Sequence, residues 1–321
     1  MNKILKVFLI VLAVLIGLHL LKDQVIKAGI STVGSSIVGA PIHVGHFSLN
    51  FLTQKVRIGD LKVYNPPGYP DEPLINIPQI AVDFDTPAFF KGKLHFPLIV
   101  LNMKEMVLVR NKEGVLNVDS LKVVEQAKEK KDEQPKKSSK ELAIQIDDLK
   151  LNVDRVILKD FSSGRSEPSI LVYEIGMKNK EFKNIKSIQQ LSVVVMSQAM
   201  GPTAIKSAGM YAAATLVGVG FLPAGVAGVL FSKSDSIEEF SQSVDKLYEI
   251  SLQILRSIGE INSEDRSTGV IKANVEGCDV LVEISKSQTA RSQVRVAVRK
   301  MMLPKPEIAG GILYRIEQKL K

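Results

Sequence analysis

Tryptophan is absent from the 321 residues, aromatics reach only 6%, and there is one cysteine, Cys278. Proteins that grip single-stranded nucleic acid interleave stacking aromatics with cationic side chains. Here Lys and Arg outnumber Asp and Glu by 42 to 34, a net charge of +8, but acidic residues accompany the basic ones nearly everywhere. Nucleic-acid binding is therefore not expected, and a mildly positive surface near an anionic membrane is the better use of the excess. A lone cysteine closes no internal disulfide, so Cys278 reads as a small buried apolar side chain and leaves the redox compartment open.

Catalytic chemistry is sparse as well. The histidines are His19, His43, His46 and His95. His43 and His46 stand three apart in PIHVGHFSL, where a regular strand sends them to opposite faces, and no third ligand lies nearby, so no metal site is expected. Asp147 and Asp148 are adjacent, and a strand splays them apart. Gly218-Val219-Gly220 lies in a hydrophobic run and lacks the lysine of a phosphate loop. Nucleophile elbows, zincin motifs and carboxylate constellations are missing, which points to a non-enzymatic protein without a cofactor.

What the chain does have is aliphatic: hydrophobic residues make up 45% of it. Ile4 to Leu21 is an 18-residue run broken only by Lys6 and His19. At 1.5 Å per residue it just reaches the ~30 Å hydrocarbon thickness of a bilayer. LHLLKDQVIK offers no small residues for signal cleavage, so an uncleaved signal anchor over residues 1–22 is expected rather than a cleaved signal peptide. Lys3 and Lys6 precede the span, while Lys22 and Asp23 nearly cancel after it. The bulk of the chain is then placed outside the cytoplasm.

A short helix is predicted over Gln24 to Ala40, and strands follow almost to Met196. They are predicted at Pro41–Asn50, Lys55–Tyr64, Leu74–Phe84, Leu94–Arg110, Leu142–Phe161, Ile170–Met177 and Ile188–Met196, with a helix around Ser120–Glu129. Turn sequences NPPGYP and NKEG separate some of them. Within three strands the alternation skips one place. Val56 and Ile58 are followed by Leu61 and Val63, Ile75 and Ile77 by Ile80 and Val82, and Ile144 and Ile146 by Leu149 and Leu151. A skip flips the second half outward unless an extra residue restores the face. Bulges are therefore predicted near Gly59-Asp60, Pro78-Gln79 and Asp147-Asp148, curving a mainly antiparallel sheet into a groove lined by these twelve side chains. Glu125 to Lys140 is dense in charge and reads as a solvated loop or a frayed helix.

The anchor, then VGSSIVGAPIHVGHFSLN, VRIGDLKVYNPPGYP, LINIPQIAVDFD and VLVRNKEGVLNVDSL, resembles the AsmA-type family of bacterial envelope proteins. The match includes the Asn65-Pro66 turn after the GDLKV strand and the Gly114-Val115-Leu116-Asn117 close after VLVR. The resemblance implies an inner-membrane anchor, a periplasmic β-rich groove over residues 23–200, and a role in lipid traffic or outer-membrane maintenance. Membrane lipids would then be the partners of the groove.

Ser207 to Phe231 carries no charge over 25 residues and is rich in Gly and Ala, with Pro223 in its middle. A second span, a hairpin dipping into one leaflet, and a segment buried in protein are all compatible with it. Beyond it, a small α-β-β-β-α unit is predicted over 232–321. Its first helix, Ser234–Ile258, is expected to open on a capping box of Ser236 and Glu239. Strands around Ile271–Val275, Val280–Ile284 and Val294–Val298 follow, then a helix bearing Ile308, Ile312, Ile316 and Leu320. STGVIKANVEGCDVLVEI and QVRVAV resemble a small bacterial lipoprotein family of unknown function. The reading is thus a membrane-anchored α+β envelope protein that binds or helps transfer acyl chains. The alternative is a structural adaptor whose C-terminal unit docks an envelope protein partner, with the β domain as a stalk.

Overall fold

Long runs of alternating Val, Ile and Leu bury one face of a strand only if neighbours pair beside them. Six such runs form one sheet in chain order: β1 (Ile42–Asn50), β2 (Lys55–Tyr64), β3 (Pro73–Asp83), β4 (Leu94–Arg110), β5 (Ile144–Asp160) and β6 (Ser169–Ile185). The computed structural model describes residues 23–129, 144–165, 167–219, 235–289 and 291–321. Neighbouring strands of this sheet are antiparallel except β4 and β5, which run parallel at a constant offset of 50 residues, from Leu94 opposite Ile144 to Arg110 opposite Asp160. A parallel neighbour needs a long crossover. Residues 111–143 provide it, with a 3₁₀ turn at Asn117–Ser120 and helix α3 at Lys122–Glu129.

The skipped beat takes another form than the predicted bulges. Pairing stays one to one from Gly59–Gln79 to Leu61–Ile77, and from Ile146–Ile185 to Asp148–Lys183. Neighbouring strands step together instead. Asp60 adopts φ +53° and Asn184, which faces Asp147, adopts φ +57°, the left-handed region that Asp and Asn tolerate best among residues with a Cβ. Gly45 faces Asp60 in β1, where a Cβ would lie 2.8 Å from that of Asp60. Register does shift in the β5–β6 pairing, around Leu151, Val153 and Arg155, where β6 carries Gly176 and Asn179 at φ +58° and +49°. The step at Gly45 also leaves both His43 and His46 exposed, with Val44 buried between them, correcting the opposite-face expectation.

Residues 23–38 form helix α1 beside β1. Its side chains engage the backbone of that outer strand: Ser35 Oγ accepts from Ile42 N (2.8 Å), Lys27 Nζ donates to Gly45 O (2.8 Å), and Asp23 Oδ1 accepts from Leu49 N (3.3 Å). An outer strand so engaged is a poor template for pairing with another chain. A one-turn helix, α2 (Thr86–Phe90), follows β3 and is capped by Asp85, whose carboxylate accepts from Ala88 N at 3.0 Å.

The strand predicted at Ile188–Met196 is instead helix α4 (Ile188–Met200), opened by Ser187, whose hydroxyl accepts from Gln190 N at 3.0 Å. Val193, Val194 and Val195 favour a strand locally, but burial on the sheet outweighs that small preference. Helix α5 (Ala208–Leu216) takes up the first part of the Gly/Ala-rich segment and buries Met210, Ala213 and Ala214 in the same core. Ile4–Leu21, residues 220–231 of that segment and residues 130–140 of the charged loop lie outside the described residues. No described helix is long and apolar enough to cross a membrane.

The C-terminal unit has its own core, including Leu247, Leu255, Val282, Val296 and Ile316. Its elements are β7 (Asp235–Phe240), α6 (Val244–Ile258), β8 (Glu260–Asp265), β9 (Val270–Val275), β10 (Cys278–Lys286), β11 (Ser292–Lys300), β12 (Leu303–Pro304) and α7 (Pro306–Lys319). The predicted first helix starts ten residues late, after a strand paired with β11. Ser236 and Glu239 lie in that strand, and the N-cap is Ser243, which accepts from Lys246 N at 3.3 Å. The predicted α-β-β-β-α order thus gains β7 before the helix, β8 after it and the two-residue β12. Cys278 is buried, and burial pushes its thiol pKa up.

Helix α7 docks this unit onto β6. Tyr314 is buried with Val107, Val109, Ile157 and Val172, on the opposite face of the sheet from Met106, Leu108, Val156 and Leu158. Gly310 and Gly311 let the helix lie against strand backbone: a Cβ on Gly311 would come within 1.9 Å of Ile170 O. Arg155 joins Glu105 (2.9 Å) to Glu317 of α7 (3.3 Å), and Arg165 reaches Glu276 (3.1 Å).

Candidate functional site

All twelve predicted groove residues belong to, or pack against, one hydrophobic cluster on a single face of the first sheet. Nine are buried: Val63, Ile75, Ile77, Ile80, Val82, Ile144, Ile146, Leu149 and Leu151. Val56, Ile58 and Leu61 on β2 stay half-buried, as do Leu94 and Phe96 at the start of β4. Burial thus deepens across the sheet, from β2 to Leu149 and Leu151 of β5, which are fully enclosed. The cover comes partly from α4, which packs on β5 and β6, and from α5, which packs on α3 and α4. Asp119 holds α5 in place by accepting from Gly209 N (3.1 Å) and from the Ser207 hydroxyl. The face is therefore closed over β5 and remains accessible as a rim along β2.

The two ends of the sheet differ. At the end where β4 leaves, Asn65 and Asn117 join the two turn motifs that carry the sequence resemblance. Asn117 Nδ2 donates to Asn65 Oδ1 at 2.7 Å and to Val107 O at 2.9 Å, and Asn65 Nδ2 donates to Pro70 O at 2.9 Å. Both residues are buried, so these motifs lock the fold rather than present a binding surface.

At the opposite end His95 lies between two carboxylates. Its Nε2 is 2.8 Å from Asp147 Oδ2 and its Nδ1 3.1 Å from Asp85 Oδ2. Only an imidazole protonated on both ring nitrogens can donate to both carboxylates at once, so this arrangement favours the cationic form. The bonds to Asp147 and then Asp85 raise the His95 pKa. Asp85 is held low first by the Ala88 amide and then by His95, and Asp147 by His95 and Gln145. The clamp fixes the start of β4 to β5 and to the cap of α2. Beside it gather Phe51, Phe84, Phe89 and Phe90. Neither His95 nor the aromatics were singled out by sequence pattern, since Asp147 lies 52 positions from His95 and Phe51 belongs to a different turn from Phe84, Phe89 and Phe90. The pair Phe89-Phe90 followed by Lys91 and Lys93 was the one visible signal.

A cavity of 580 Å³ lies where the two units meet, lined by residues such as Arg165, Glu167, Asn274, Glu276 and Arg315. Its lining mixes these charged groups with Ile170, Ile258 and Ile312, and is less apolar than the face over β5. Among the described residues, no group of three or more His, Cys, Asp or Glu side chains is arranged to hold a metal ion.

A model of the AsmA family matches residues 1–199, more than half of the 321. The chain belongs to the AsmA family. In this AsmA-family chain the match covers the first sheet, the anchor-like run and α4 up to Ala199, so the apolar face and both ends just described fall inside it. Membership makes this an envelope-associated protein. Neither a curated protein nor a solved structure matches the chain. The C-terminal unit lies beyond the family match, and its resemblance to a small lipoprotein family gains no further support.

Proposed function

We propose that this AsmA-family chain is a non-enzymatic protein anchored in the bacterial inner membrane by Ile4–Leu21, with its bulk in the periplasm. Its half-open apolar face holds phospholipid acyl chains, in support of lipid transfer and outer-membrane maintenance. The observation that carries the reading is the rim of Val56, Ile58 and Leu61. These side chains stay half-buried while the apolar face they extend becomes fully enclosed at Leu149 and Leu151 of β5. Each methylene taken from water onto such a surface contributes ~0.8 kcal/mol, so a few methylenes of contact suffice for weak, transferable binding.

Two observations favour the adaptor reading. Helices α4 and α5 close the face over β5, as they would in a stalk, and α7 packs the C-terminal unit against β6, as suits a docking module.

The two readings part on one measurement. The full chain is extracted in detergent and co-purifying lipid is quantified by mass spectrometry, for the parent and for Ile58→Asp. The lipid reading expects bound phospholipid in the parent and a several-fold loss in I58D. A parent without lipid, together with an I58D variant of unchanged melting temperature, leaves the stalk.

A further inference from the structure

The end of the sheet near His95 exposes apolar side chains that the proposed function does not use. Four rings meet there, Phe51 of the β1–β2 turn, Phe84 after β3, and Phe89 and Phe90 of α2, with centroids 5.9 to 6.5 Å apart. Phe84 is buried and seats the group. Leu52 at the tip of the turn is 96% exposed and Phe90 76%, and Phe51 and Phe89 are exposed beside them. Edge-on aromatic contacts make the patch a rigid surface, unlike scattered surface apolar residues.

Two further observations say what this surface meets. The first is charge. The nearby acids are engaged, Asp83 by Lys55 (2.9 Å) and Asp85 and Asp147 by His95, whereas Lys91 and Lys93 are exposed next to Phe90. The second is where the chain comes from. The apolar run Ile4–Leu21 ends two residues before Asp23, and Asp23 Oδ1 accepts from Leu49 N, two residues before Phe51. The run therefore joins the described protein at this end. Aromatic and aliphatic tips bordered by lysines, next to an apolar segment long enough to span, suit the headgroup boundary of an anionic bilayer.

We propose that Phe51, Leu52, Phe89 and Phe90 insert into the interfacial layer of an anionic phospholipid bilayer, with Lys91 and Lys93 on the headgroups. This rests on reading Ile4–Leu21 as the membrane anchor. It adds a second contact that sets the sheet upright on the bilayer. The rim residues Val56 and Ile58 begin directly behind the tip, so an acyl chain leaving the bilayer there would meet apolar side chains without crossing open water.

The absence of tryptophan allows a direct test, because one introduced indole is the sole reporter. Full-length L52W, F90W and, at the opposite end, K112W are reconstituted into phosphatidylethanolamine–phosphatidylglycerol vesicles with brominated acyl chains. Flotation reports the anchor and quenching reports the tip. L52W and F90W are expected to be blue-shifted and quenched roughly two-fold, while K112W is not, as interfacial indoles sit at headgroup depth. A chain that floats with all three indoles equally unquenched overturns the tip, leaves the anchor standing and points to a protein partner for the patch. A chain that does not float overturns both.

Discussion

The side-chain amide of Asn117 donates to Oδ1 of Asn65 across 2.7 Å, and the two residues are 0% and 7% exposed. With the 3.5 Å contact between the Tyr69 and Ser120 hydroxyls, this bond ties the NPPGYP turn to the 3₁₀ turn beyond β4. Asn117→Ala leaves the Asn65 oxygen and Val107 O without that donor in a buried site, which costs about 1–3 kcal/mol. Urea denaturation should show this loss. Asn65→Ala should cost a similar amount, with the double variant clearly less destabilised than the sum of the two. Additive losses would mean that the pair does not act as a unit.

The His95 clamp makes stability depend on pH in a definite direction. The folded His95 pKa is raised above 6.5, so its contribution is full below 6.5 and is lost as pH rises through the folded value. Asp85 and Asp147 are lowered below 3.8, so theirs is full above 3.8 and is lost as pH falls through the lowered values. The difference in urea midpoint between the parent and His95→Asn should therefore be greatest between those limits and shrink on either side. A difference that grows on going from neutral to alkaline pH would contradict the clamp.

Gly311→Ala should loosen α7 from β6 while leaving the C-terminal core folded. The added Cβ would lie 1.9 Å from a backbone oxygen, which a side-chain rotation cannot relieve, so the helix must move. Overpacking of this kind costs about 1–3 kcal/mol. Hydrogen exchange is expected to quicken in residues 170–172 and along α7, with α6 unchanged. Exposure of Tyr314 should follow. Its phenol pKa, which burial raises to about 12, would fall toward 10 in a spectrophotometric titration.

Met301 and Met302 form a two-residue hairpin turn at φ +49° and +69°, with both side chains about nine-tenths exposed. Asn-Gly is the preferred pair for such a turn. Met301→Asn with Met302→Gly should stabilise the C-terminal unit by about 1 kcal/mol, read as a higher melting temperature. An unchanged or lower value would show that the methionine side chains contribute packing that offsets the backbone cost.

Apolar-rich strands bounded by turn sequences were legible: β2 and β4 fall at Lys55–Tyr64 and Leu94–Arg110, the bounds the pattern predicts. Which face each apolar residue takes was legible for the same reason, because the side chain follows the pleat. Strand direction was not. Leu94–Arg110 and Ile144–Asp160 alternate identically whether the pair runs parallel or antiparallel. Val193–Val195 imitated a strand, and Ser236 with Glu239 imitated a helix start. In both places burial against distant elements decided, and local preference carries no record of it. Openness of the site was illegible too, since Val56 and Leu149 differ only in what lies over them.

The parallel seam between β4 and β5 also divides the folding of the sheet in time. Strands β1 to β4 are each joined to the next by short connections, so their contacts close small loops. The seam brings together residues 50 apart throughout its length, and loop closure of that size is slow compared with a hairpin. On the ribosome a four-stranded half-sheet can therefore assemble before β5 has been made. Its β4 edge, rich in Val, Leu and Met, stays unpaired until then. Aggregation during synthesis should be most sensitive to substitutions on that edge, even those that leave the finished protein as stable as before.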